Sequence, residues 1–178
     1  METSNTKGYV LAGFFIALMA ISAYVKIPTP YVPVTFQLIV AITSGIILGP
    51  YLGALSMSVY VILGLIGLPI FSGGGGFGYI LMPTFGFIIG FIFSSFVAGL
   101  LWRKSVTMRI LSIIASIIVC YTPGILWFWM IMTDMTLLGS MLFMVLYAIK
   151  DVALGAVLFG TIHILNFYIK DLEVRCVQ

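Results

Sequence analysis

The chain has 178 residues, of which 62% are hydrophobic and only 7% charged, where a soluble domain carries roughly 25% charged residues. That composition excludes an ordinary soluble module, and a net charge of +3 spread along the chain gives no basic patch for nucleic acid. Two cysteines, Cys120 and Cys176, match neither a disulfide framework nor a metal-ligand spacing. The apolar runs lack the ten-residue alternation of outer-membrane strands, and helices are the other way to satisfy backbone groups in lipid. The expectation is one integral membrane domain over residues 1–178, an all-α bundle of six transmembrane helices with a glycine-rich outer loop.

A first apolar run goes from about Gly8 to Val25 and leads straight into further runs, so it reads as a span rather than a cleaved signal peptide. Gly13 and Ala17 lie four apart on it, as do Ile16 and Ala20. That spacing permits close helix packing in lipid, within this chain or against another. Lys26 to Pro33, with three prolines in eight residues, reads as an extended loop. A short second run follows from Phe36 to Leu48. Gly49 to Gly53 signals a tight turn, and a third run ends near Leu68. The glycine-saturated stretch after Pro69 has so little side chain that it can let a small molecule approach its backbone, as the lid or rim of a pocket. A fourth span is expected from about Tyr79 to Leu101.

Arg103, Lys104 and Arg109 then stand without an acid. The fifth run, Ile110 to Met132, is expected to be interrupted at Pro123-Gly124, and a polar break carries Asp134. The last run, Leu137 to Ile169, exceeds one span, so a short or re-entrant helix is expected before a sixth span from near Tyr147. With both termini cytoplasmic, Lys7, Arg103, Lys104, Arg109, Lys170 and Arg175 face the cytoplasm and only Lys26 lies in an outer loop, as the positive-inside rule prefers. The proline, glycine and Asp134 loops then share the outer side, where a solute arrives.

Few residues could carry chemistry. Lys150 and Asp151 are ionisable inside a span, where a charge costs about 2.5 to 3.5 kcal/mol on insertion scales. They read as a substrate site, with Lys150 a point charge for a carboxylate, or as an internal ion pair or a snorkelling lysine; at about 100° apart they need not pair. Gly73, Gly75 and Gly78 spell G-x-G-x-x-G, but a dinucleotide site needs a preceding strand in a βαβ unit, and no phosphate loop ends in Gly-Lys-Ser/Thr. Trp127 and Trp129 fit membrane-interface anchors. His163 is a lone imidazole without a second ligand at helical spacing. No Ser/His/Asp, Cys/His or paired-carboxylate set occurs, so no catalytic and no metal-ligating residue is assigned.

The succession Lys26-Ile-Pro-x-Pro-x-x-Pro-Val-Thr-x-Gln37, Gly49-Pro-Tyr-x-Gly-Ala-Leu-Ser, Gly64-Leu-Ile-Gly-Leu-Pro-Ile-Phe71, the glycine loop and Pro83-Thr84 closely resembles the BioY family over about Leu11 to Gly160. These are biotin-specific substrate-binding (S) components of energy-coupling factor (ECF) vitamin transporters. The resemblance implies a six-helix bundle that captures biotin from outside at the cell membrane and is not an enzyme. It also implies partners: a transmembrane coupling protein docked at Gly13 and Ala17, and two separate ATPase subunits that use the ATP, so that the chain itself holds no cofactor. Two departures stand out. Met82-Pro83-Thr84-Phe85-Gly86-Phe87 replaces a Gly-Pro-Thr/Ser-Gly-Gly-Tyr run, and Tyr147 takes the place of the Asp in an Asp-x-x-Lys whose Lys is Lys150. The expected substrate-binding set is Gln37, Gly74, Gly75, Tyr79, Thr84, Phe85, Tyr121, Tyr147, Lys150 and Asp151. Lipoate, with a less polar head on a similar carboxylate chain, is the alternative ligand, and a membrane enzyme acting on lipid is the rival from a different class.

Overall fold

The computed structural model describes residues 2–29, 31–102 and 105–176, with side chains over 6–29, 31–102 and 105–162. It is a bundle of six helices: α1 (Glu2–Tyr24), α2 (Gln37–Leu48), α3 (Pro50–Leu65), α4 (Phe85–Leu101), α5 (Val106–Ile131) and α6 (Leu137–Cys176). The proline loop folds into a minimal hairpin, β1 (Lys26–Ile27) against β2 (Val34–Thr35), antiparallel, with Lys26 opposite Thr35.

Burial follows from side-chain spacing. On α1 the buried residues Ala12, Phe15, Met19, Ser22 and Ala23 recur every three or four positions, one stripe of a helix whose other face is apolar and exposed. α2 buries Gln37, Leu38, Val40, Ala41, Ile42, Ser44 and Gly45 and is the central helix. A Cβ on Gly45 would run into the Ser95 carbonyl of α4, and one on Gly53 into Gly45, so missing side chains let α2, α3 and α4 approach backbone to backbone. The Ser44 and Ser95 hydroxyls, both buried, meet there at 2.9 Å. α4 and α5 repeat the device: Gly86 faces the Pro123 carbonyl, Gly90 the Cys120 carbonyl, and Gly124 the Phe87 ring.

Among the described residues three helical stretches are long and apolar enough to cross a membrane, Thr6–Tyr24, Val106–Ile131 and Leu137–Ile162. α2, α3 and α4 have 12, 16 and 17 residues. At 1.5 Å per residue α2 is about 18 Å long, short of a hydrocarbon core of about 30 Å. Its flanks supply the rest: the hairpin precedes it, and Gly49 (φ 81°) is the one residue between it and α3, with Pro50 opening the new helix. The turn expected over Gly49 to Gly53 is thus confined to Gly49.

Three other boundaries differ from expectation. α5 runs unbroken through Pro123. An interior proline forfeits one backbone bond, but membrane helices tolerate it, and here Pro123-Gly124 seats α4 rather than ending α5. The run from Leu137 is one helix of 40 residues, with no proline inside it and hence no breaker; no separate short or re-entrant helix forms. α4 starts at Phe85, while Phe77–Leu81 makes a 3-10 turn and Met82, the residue before Pro83, is extended with ψ 141°, the conformation to which a following proline pushes its neighbour.

Candidate functional site

The two unusual loops are tied to one another at one end of the bundle. Tyr24 donates its hydroxyl hydrogen to the Pro69 carbonyl, and the Lys26 ammonium donates to the Ser72 carbonyl. Thr29 bonds the Val32 carbonyl and meets the Tyr147 hydroxyl of α6 at 3.0 Å. Tyr31 packs edge-on to Phe128 and Phe143, with centroids 6.3 and 5.8 Å away. In the glycine stretch, Phe71 and Gly74 exchange backbone bonds of 2.8 and 3.1 Å. Gly74 has φ 118° and Gly76 φ 99°, values L side chains rarely adopt. A Cβ on Gly75 would strike the Leu68 carbonyl. The backbone that approaches these glycines is the chain's own. The fold-back drives Phe71, fully buried, between Tyr60 and Tyr79 at 5.4 and 4.6 Å and over the bare Cα of Gly64.

Beneath this cap lies a narrow cavity of about 50 Å³. Its polar wall is Thr35, Gln37, Ser72, Tyr79, Thr84, Tyr121, Tyr147, Lys150 and Asp151, and Leu38, Phe87, Ile88, Phe91 and Met144 supply much of its apolar wall. Seven of the ten expected substrate-binding residues therefore share one cavity: Gln37, Tyr79, Thr84, Tyr121, Tyr147, Lys150 and Asp151. Gly74, Gly75 and Phe85 are not among its lining residues; Phe85 is buried beside Trp127, whose indole N–H donates to the Ile80 carbonyl at 3.1 Å. Thr35, Ser72 and Met144 were not foreseen. Thr35 stood inside the Pro-Val-Thr-x-Gln motif, the signal that could have found it.

Lys150 and Asp151 do pair. Their neighbouring positions on α6 both flank the cavity, and the flexible lysine arm turns back so that Nζ lies 2.7 Å from Asp151 Oδ1. Lys150 Nζ also donates to the Thr35 carbonyl at 2.8 Å, while the Tyr121 hydroxyl donates to Asp151 Oδ2 at 2.6 Å. Asp151 is 7% exposed and Lys150 27%, so neither snorkels freely. An ammonium has three donors and a carboxylate about four lone-pair sites. Two donors and two acceptor sites are spent within the protein, which leaves one N–H and two lone pairs, side by side and with no net charge. Elsewhere in the wall Gln37 donates to the Tyr60 hydroxyl at 2.8 Å, which donates to the Ile70 carbonyl at 2.9 Å. The Tyr79 hydroxyl stands 3.0 Å from Thr84 Oγ1 and 3.2 Å from Ser72 Oγ. Gly13 and Ala17 lie away from the cavity, both exposed on α1, and a Cβ on Gly13 would meet nothing within 4 Å. The side chain of His163 lies outside the described residues.

The sequence profile of the BioY family matches residues 1–168. A probable biotin transporter BioY of Pyrococcus horikoshii is 39% identical over 124 residues, 69% of this chain and 75% of that protein. The biotin transporter BioY of Thermotoga maritima is 37% identical over 119 residues, covering 65% and 70%. A probable biotin transporter BioY of Lysinibacillus sphaericus is 42% identical over 99 residues, 56% of this chain and half of that one. Among solved structures, the crystal structure of the S-component for biotin from an ECF-type ABC transporter superposes with a TM-score of 0.75 at 22% identity, over 90% of this chain and 93% of that one; the two share a fold.

Proposed function

The chain belongs to the BioY family, and from that premise we propose that it is the substrate-binding component of an ECF-type vitamin transporter and that its ligand is biotin. The observation that carries the reading is the neutral Lys150–Asp151 pair in the cavity wall. The head of biotin is a cyclic urea, with a carbonyl that accepts and adjacent N–H groups that donate. The unspent lysine N–H and the free carboxylate lone pairs match that edge, and a neutral head meets no net field there. Lys150 accordingly reads the urea carbonyl, a different role from the carboxylate anchor that its position suggests in the sequence. Phe87, Ile88, Phe91 and Met144 suit the apolar ring system behind it.

Lipoate offers no N–H to Asp151. A site built to hydrogen-bond a ligand rejects an analogue lacking the group sharply, because a buried polar group left unpaired costs about 1–3 kcal/mol. With no catalytic set in the cavity, the binding energy is used to capture and hold. The work of transport would come from the coupling protein and two ATPases, docked from the Gly13 and Ala17 face, with the loop-capped cavity toward the outside and both termini in the cytoplasm. Paired equilibrium titrations of the purified chain test the reading: saturable binding of biotin, at least tenfold tighter than lipoate, supports it. Equal or tighter lipoate binding refutes the urea-edge assignment, and product formation from either acid refutes the binding role.

A further inference from the structure

The neutral pair leaves an acid-bearing ligand without a counter-charge at that end of the cavity, and the structure offers one elsewhere. Lys26, exposed at the start of β1, sends its ammonium to the Ser72 carbonyl, and Ser72 lines the cavity beside Tyr79. Among the described residues no carboxylate lies within bridging range of Lys26, Asp151 being paired with Lys150, and a single bond to a carbonyl leaves two of its N–H donors unspent. The hairpin fixes where those donors are. Lys26 is the Cα partner of Thr35, roughly 5 Å away in an antiparallel pair, and Thr35 gives its carbonyl to Lys150. Two ammonium groups are thus tied to the same strand pair, one neutralised in the cavity wall by Asp151, the other outside the lining residues but bonded to the carbonyl of Ser72, which does line the cavity.

We infer that Lys26 is a binding residue, the counter-charge for the ligand's carboxylate, so that the site reads its ligand at two points: a neutral urea at Lys150 and Asp151, and an anion at Lys26 and Ser72. The inference rests on the vitamin-binding reading above. It gives the neutral polar edge in the wall and the ammonium at the Ser72 carbonyl one ligand to share. An exposed charge pair is worth little, so the expected effect is modest and salt-dependent.

The test is titration of the purified full-length chain with biotin and with its uncharged primary amide, in the parent, Lys26→Gln and Lys26→Arg, at low and high salt. The parent should bind the acid about fivefold more tightly than the amide at low salt, with the gap closing as salt rises. Lys26→Gln should abolish the preference while holding the amide affinity of the parent, and Lys26→Arg should keep it. Retention of the preference in Lys26→Gln overturns the inference. So does an equal loss for acid and amide, which would make Lys26 only the clip between hairpin and glycine loop. A parent that binds neither compound overturns the vitamin-binding reading itself, and this inference with it.

Discussion

Replacing Asp151 with Asn separates two roles for Lys150 by the sign of the effect. The amide oxygen of Asn can still take the Tyr121 hydroxyl that lies 2.6 Å from Oδ2, but its NH2 then stands where Oδ1 met the ammonium, so Lys150 turns away from it, keeps the Thr35 carbonyl, and the wall goes from neutral to positive. A hydrogen bond to a charged group contributes about 1.5–3 kcal/mol and one between neutral groups about 0.5–1.5 kcal/mol. The bond from a urea N–H to position 151 should therefore weaken by about 1.4 kcal/mol, a tenfold loss of affinity. Biotin and its amide should lose it equally, because the urea is common to both. If Lys150 instead anchors the carboxylate, removing its competing anion makes biotin bind more tightly and widens the gap between acid and amide. The assay is isothermal titration in detergent, with thermal unfolding of the same samples to establish that the variant folds. Tighter acid binding by folded Asp151→Asn would refute the urea-edge account.

Two further outcomes follow from packing and exposure. Gly45→Leu puts a side chain where even a Cβ would strike the Ser95 carbonyl, and overpacking costs about 1–3 kcal/mol; a lowered unfolding temperature is expected, and an unchanged one would mean that α2 and α4 are not held at this seam. Gly13→Trp and Ala17→Arg, on the exposed face of α1, should abolish copurification with the coupling protein while leaving biotin affinity within twofold of the parent; loss of both together would make the two positions structural.

The architecture was legible wherever physics writes on single residues. Prolines 28 and 33 with their neighbours forbade helix between α1 and α2, and the glycines after Pro69 marked a fold-back. The adjacent ionisable residues at 150 and 151 stood out as site candidates because such groups are costly within a span, and both line the cavity. What stayed hidden depends on a partner segment. Pro123 reads as a breaker on its own, yet α5 continues through it because Gly86 and Gly124 let α4 close on that turn. The length of α6 was hidden because a helix need not stop where the bilayer does. The pairing of Lys150 with Asp151 depended on the lysine arm being turned by the Thr35 carbonyl, 115 positions away. Nothing in the glycine stretch told a lid over a ligand from a seat for Phe71, since both need bare backbone.

The most direct measurement is native mass spectrometry of the chain purified from cells supplied with biotin. The account predicts a population heavier than the bare chain by one biotin, chemically unaltered, and its disappearance in Lys150→Ala/Asp151→Ala. A chain that carries no biotin at saturating supply, or that carries it undiminished in the double variant, would contradict the account.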